Sequence, residues 1–197
     1  TSNDPSNPSL TVPVKMTIKL PIQLNLTALI EGLYHDSLMV ADTVSIQMRN
    51  STAPFNLVEE QKIYLNNSGF GTESFIYPVE SSSYYLVIKH RNSLETWSGY
   101  PQTVLGSFLN YDFTSSQSSA YGNNLLLKNN KWCIYSGDIN QDGYIDLSDV
   151  INCINDANAF ATGLNLATDL NGDFQVDLSD IVITVNNSNS FISKITP

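Results

Sequence analysis

Two stretches of this chain place oxygen-bearing side chains at regular intervals. Residues 137–154 read GDINQDGYIDLSDVINCI, and residues 168–185 read TDLNGDFQVDLSDIVITV. The first acids of the two stretches, Asp138 and Asp169, lie 31 residues apart, and both stretches follow the frame D-x-N-x-D-x-x-φ-D-L-S-D, with φ apolar. Such an internal repeat is not chance. A calcium ion takes six to eight oxygens, and a twelve-residue loop wraps it with positions 1, 3, 5, 7, 9 and 12. In the first loop those positions are Asp138, Asn140, Asp142, the carbonyl of Tyr144, Asp146 and Asp149. In the second they are Asp169, Asn171, Asp173, the carbonyl of Gln175, Asp177 and Asp180. Two Ca²⁺ sites are therefore expected. The second is expected to be weaker, because the sixth position is Gly143 in one loop and Phe174 in the other, at a turn that favours glycine.

Charge supports the same chemistry. The chain has 197 residues and a net charge of −10, unevenly distributed. Residues 137–197 carry nine acids against Lys194 alone, a net of −8. A small acidic segment of this kind repels itself unless cations bind. No basic patch exists to neutralise phosphates, which argues against nucleic acid as a partner. Charged residues are only 14% of the chain, below the roughly 25% of ordinary soluble domains, so Ser, Thr and Asn must supply the polar surface. Such a surface fits a secreted protein. No apolar run is long enough to span a membrane. The start at Thr1-Ser2-Asn3-Asp4-Pro5 reads as a processed end.

The loops need elements to hold them. After each loop the pattern turns helical, over 147–156 and 178–186, with Leu-Ser-Asp supplying acceptors at each helix start. Position 8 is Ile145 in one loop and Val176 in the other, placed to pair with each other as a short β-bridge. Upstream, strands are expected at 22–31, 42–49, 61–65, 72–77, 84–90, 103–105, 110–114, 124–128 and 132–135, separated by Gly/Asn/Ser/Pro turns. Many short strands without a helical pattern imply a β-sandwich over residues 22–136. From Leu10 to Ile30 apolar residues occupy every even position. Twenty-one extended residues would span about 70 Å, too long for one strand of such a domain. Residues 1–21 are thus an N-terminal extension in which 10–20 must bury an apolar face elsewhere, either in its own sandwich or as a donor strand in a neighbour's.

The segment Gly71–Pro78 followed by Tyr84–His90 resembles the central hairpin of prealbumin-like and Ig-like modules, which implies a sandwich and no reaction. Residues 137–197 resemble a type I dockerin repeat pair of EF-hand-type loops, including Asp at position 12. That resemblance implies calcium and a cohesin-type partner. Partner choice in that family lies at positions 10 and 11, here Leu147-Ser148 and Leu178-Ser179, not the Ser-Thr of cellulosomes. The stretches 41–69, 84–99 and 121–143 resemble secreted surface modules of Ignavibacteria and allied Bacteroidota-group bacteria. The fold class is thus mainly β: an Ig-like or prealbumin-like sandwich followed by a small helical module with two calcium loops.

Other chemistry is thinly represented. His35 and His90 sit in no zinc spacing, and no nucleophile elbow, phosphate loop or dinucleotide fingerprint occurs. Glu59 and Glu60 are adjacent and so point to opposite faces of a strand. No enzyme is expected. Cys133 and Cys153 are either bridged, closing a loop of about 20 residues, or free and buried. Trp97, Tyr100, Tyr84, Tyr85, Tyr111 and Trp132 could form a sugar platform, or core. Four N-glycosylation patterns occur, beginning at Asn25, Asn50, Asn66 and Asn186. The leading expectation is a calcium-stabilised subunit of an extracellular filament, a homopolymer joined head-to-tail through its N-terminal strand. The alternative is a secreted adhesion module that binds a glycan or a protein partner.

Overall fold

The computed structural model describes residues 5–6, 13 and 20–197. The donor-strand segment 10–20 therefore lies outside the described residues apart from Pro13 and Leu20. The chain is mainly β. Strand β1, Ile22–Thr27, puts Ile22, Leu24 and Leu26 inward and Gln23, Asn25 and Thr27 toward solvent, as period-two alternation dictates. A short hairpin follows, β2 (Tyr34–His35) and β3 (Leu38–Met39). Next come β4 (Asp42–Asn50), β5 (Leu57–Leu65), β6 (Phe70–Phe75), β7 (Ser83–His90), β8 (Ser93–Trp97), β9 (Gln102–Thr103) and β10 (Phe108–Asp112). The small hairpin of β11 (Leu126–Lys128) and β12 (Lys131–Cys133) closes the β region.

One sheet has the order β10-β1-β6, with β1 parallel to β10 and antiparallel to β6. The other runs β5-β4-β7-β8, all antiparallel, with β9 also pairing β7. The chain passes from one sheet to the other at Asn66–Gly69, where the Asn66 carboxamide oxygen accepts from Ser68 and Phe70 N–H and Gly69 takes a φ of 76°. Between the sheets lies one core, in which Leu24, Leu26 and Phe75 meet Val44, Ile46, Met48, Ile63, Leu86 and Ile88. Each such side chain, fully buried, contributes about 1.5–3 kcal/mol. Strand β7 is buried on both faces, because a second cluster of Tyr85, Val87 and Trp97, joined by Phe55 and Tyr121, covers its outer side.

Helices α1 (Leu147–Asn158) and α2 (Leu178–Asn189) pack together against a small core of Cys153, Leu170 and Val176. This pair sits directly on the sandwich. A β-carbon on Gly32 would lie 2.2 Å from the Leu170 carbonyl oxygen, so only glycine permits the approach.

Two readings left open by the sequence are settled here, and one expectation changes. Cys133 and Cys153 are both free and buried, one in the sandwich core and one on the inner face of α1. Burial pushes both thiols up to about 12. The aromatic platform does not form: Trp97, Tyr84 and Tyr85 are buried, Tyr111 and Trp132 pack against the core, and only Tyr100, 70% exposed, projects. The predicted bridge between Ile145 and Val176 is replaced by two others. Ile145 N–H donates to Ile192 O, and Val176 N–H donates to Ala161 O. Each loop thus pairs with the segment leaving the other loop's helix.

Candidate metal centre

Both loops are built by the same bonds. Asn140 and Asn171, at position 3, accept from the backbone N–H of Asp142 and Asp173 at 2.9 Å. Asp142 and Asp173, at position 5, accept from Tyr144 and Gln175 N–H. The carboxylate of Asp149 draws the loop closed by accepting from Ile139 N–H (2.8 Å), Asn140 N–H (3.1 Å) and Asp146 N–H (3.0 Å). Asp180 does the same with Leu170, Asn171 and Asp177. Asp146 and Asp177 cap the two helices, each accepting from the N–H and hydroxyl of Ser148 or Ser179. With Asp149 and Asp180 bonding back, both helices start in a complete capping box.

The turn geometry also matches. Positions 4 and 6 take positive φ in both loops: Gln141 (60°) and Gly143 (92°), then Gly172 (76°) and Phe174 (70°). Each loop therefore has one glycine and one strained residue. The position-6 contrast, read alone from the sequence, is offset at position 4.

The loops differ at position 1. Asp169 accepts from Gly172 N–H through Oδ1 and from Phe174 N–H through Oδ2. Asp138 is 1% exposed, and its Oδ1 has no hydrogen-bond partner. Burial, then the neighbouring carboxylates of Asp149 and Asp142, push Asp138 up to about 7. Burial also raises Asp149 and Asp180. Among the described residues, no three His, Cys, Asp or Glu side chains converge closely enough to hold an ion as they stand. The donor set is wider than those four types, since two Asn side chains and two backbone carbonyls belong to it. An orphaned, buried carboxylate oxygen among like charges is what a hard cation would satisfy, so the residues present fit calcium.

The sign of the pH response follows from Asp138. Its folded value, about 7, lies above the ordinary 3.8. Its stabilising effect is therefore full below that ordinary value and lost as pH rises through 7. In chelator, thermal melts from pH 5 to 8 should show the helix pair losing stability as pH rises, with a shallower slope in Asp138→Asn. A melting temperature that rises across that window would contradict the crowding of Asp138 with Asp149 and Asp142. Asp42 is not involved in this range. Burial raises it, but hydrogen bonds from His90, Arg91 and Thr43 N–H outweigh that and hold it well below the usual carboxylate range.

The centre is seated on the sandwich by polar contacts that sequence reasoning missed. Arg91 pairs with Asp42 and donates from Nε to Leu166 O at 3.2 Å. Gln141 donates to Ser93 O at 3.2 Å. Asn187 donates from Nδ2 to Glu31 Oε2 at 2.6 Å and to Ser136 O at 2.8 Å. None of these belongs to a motif. Polar residues at a strand turn and on a helix face look the same in sequence whether they meet solvent or another layer.

No family model matches the chain, and no curated protein does. Solved structures do. Two are crystal structures of type II cohesin–X–dockerin complexes from Acetivibrio cellulolyticus, one a C-terminal and one an N-terminal interface mutant. The first aligns at TM-score 0.51 and 15% identity, covering 86% of this chain and 99% of that one. The second aligns at TM-score 0.50 and 14% identity over the same shares. At these identities the likeness concerns the fold alone. It corrects the family expected from sequence. The resemblance of residues 137–197 to a type I dockerin module, and of the chain to Ignavibacteria surface modules, is not upheld. No family model supports either, and the solved neighbours come from type II complexes, matched across a mainly β, sandwich-like chain with only two helices among its described residues. The physical reason is that ligand spacing is set by the ion. Any chain that wraps Ca²⁺ in twelve residues must share it, whatever its descent. The chain shares its sandwich-like fold with components of cohesin–X–dockerin complexes.

Proposed function

We propose that this chain is a non-enzymatic, extracellular partner-binding module, with calcium held in the two loops and a protein docked on the helix pair. The observation that carries the docking surface is the exposed apolar ridge of the helices. On α1 it comprises Leu147 (66% exposed), Ile151 and Ile154, at i, i+4 and i+7. On α2 it comprises Leu178 (70% exposed) and Val182. Phe160 and Phe191 extend it beyond each helix end. Large apolar side chains exposed in rows on both helices are what an interaction site presents. The acidic loops beside it favour a partner whose rim is basic. The solved neighbours come from two-protein complexes described as interface mutants, which supports a docking role for this fold. Calcium supplies counter-charge and shape to the loops, which fix the starts of both helices. The filament reading has no observation behind it among the described residues.

The test titrates each protein of such a two-protein complex separately as the probe, by isothermal titration calorimetry in calcium and in chelator. A calcium-dependent complex is expected. The double substitution Leu147→Asp and Leu178→Asp is expected to weaken it at least about 10-fold, the cost of losing central apolar contacts. Binding unchanged by that double substitution would remove the helix ridge from the interface.

A further inference from the structure

The turn between β7 and β8 is two residues long, Arg91-Asn92. A residue at the tip of such a turn is ordinarily solvated. Asn92 is 0% exposed. It is wedged between the first positions of the two loops. Its backbone carbonyl accepts from Gly137 N–H at 2.7 Å, immediately before Asp138. Its Nδ2 donates to the backbone carbonyl of Asp169 at 2.9 Å. The remaining oxygen is held from the sandwich side, by His90 Nδ1 at 2.9 Å and Ser93 Oγ at 3.3 Å. Ser93 itself bridges to Ser136 and accepts from Gln141 of the first loop.

We infer that Asn92 is a positioning residue for both ion sites at once, coupling the two loops to each other and to the sandwich so that they fill as a unit. The inference rests on the calcium reading above. Asp138 and Asp169 are buried, and both loops start against this one residue, the first at its main-chain carbonyl through Gly137 and the second at its side-chain amide through Asp169. Its carbonyl fixes one entry and its amide nitrogen the other. A shift of the turn moves both. Hydrogen-bond partners beyond the ligands orient metal sites in this way, and losing one typically costs 10–100-fold in affinity. Coupling through a shared rigid element makes the two binding events cooperative. The β7–β8 turn, which holds no ligand, should therefore sense the ions.

The experiment titrates Ca²⁺ into the full chain and into Asn92→Ala by calorimetry, and follows backbone hydrogen exchange of wild type with and without calcium. Wild type should take two ions cooperatively. Asn92→Ala should lose about 10–100-fold in affinity at both sites and lose cooperativity. Calcium should slow exchange at the Leu94 amide of wild type, which bonds to Tyr135 O in the seam beneath the turn. Affinity loss confined to one loop, or none, would overturn the coupling. Should Asn92→Ala fail to fold, the wild-type exchange decides, and an unchanged Leu94 amide overturns it equally. A wild type that takes no calcium would instead overturn the reading on which the inference rests.

Discussion

Stripping calcium from a loaded sample is expected to melt the helix pair far below the sandwich, and Asp138→Ala is expected to remove one of the two ions. Among the described residues the buried apolar side chains of this segment are few, Cys153, Leu170 and Val176 with Ile145 and Val150, too few to hold a segment carrying a net charge of −8. Ion binding and folding are then one free energy. Each site held at 100 times its dissociation constant adds about 2.7 kcal/mol, comparable to losing a large core side chain. In Asp138→Ala the ligand whose Oδ1 has no other partner is gone, so the first loop should empty while the second retains its ion in saturating calcium. Calorimetric stoichiometry and melting with and without chelator measure both effects. Two ions retained in the variant, or melting curves that coincide, would refute the calcium assignment.

Asn187→Leu is expected to destabilise the chain by about 2–3 kcal/mol through loss of a hydrogen bond to a buried charged group. Glu31 is buried, and its Oε2 accepts from Asn187 Nδ2 and from Ser136 N–H. Burial raises Glu31, while these two bonds and the charge of Lys128 pull it back down. Removing the amide raises it further. The loss should therefore shrink as pH is lowered from 8 to 5, since a raised Glu31 gains its proton sooner than an ordinary glutamate and protonation relieves the unpaired charge. Adding Glu31→Gln should recover part of the loss. Urea denaturation of the four combinations at the two pH values measures the pair. A loss below about 0.5 kcal/mol, the usual range for surface changes, would mean that Asn187 does not hold the helices to the sandwich.

The parts of this molecule that could be read from sequence are those where one physical constraint acts alone. Strand β1 alternates because one face is wet and the other dry. The two loops share one frame and are closed by the same hydrogen bonds, as their repeat implied. Strand β8, Ser93–Trp97, was not expected, and its burial explains why: all but Glu95 are covered, so no alternation survives. The β2–β3 hairpin is too short to show any period. The cysteines offered a plausible loop length, yet they lie in separate cores. Position 8 of each loop was assigned to the other loop, whereas the actual partners, Ile192 and Ala161, follow the helices and carry no motif. Asn92 gave no signal at all, since a polar turn residue is what any hairpin shows.

The segment 192–194 has a mechanical meaning. Ile192 and Lys194 bond to the first loop through Ile145 N–H and Gly143 O, Ser193 O accepts from Asn124 of the sandwich, and Lys194 reaches Glu95 of β8. Tension applied beyond Lys194 is therefore borne first by this stitched strap. Helix α2 and the second loop lie behind it, shielded from the load until those few bonds give way.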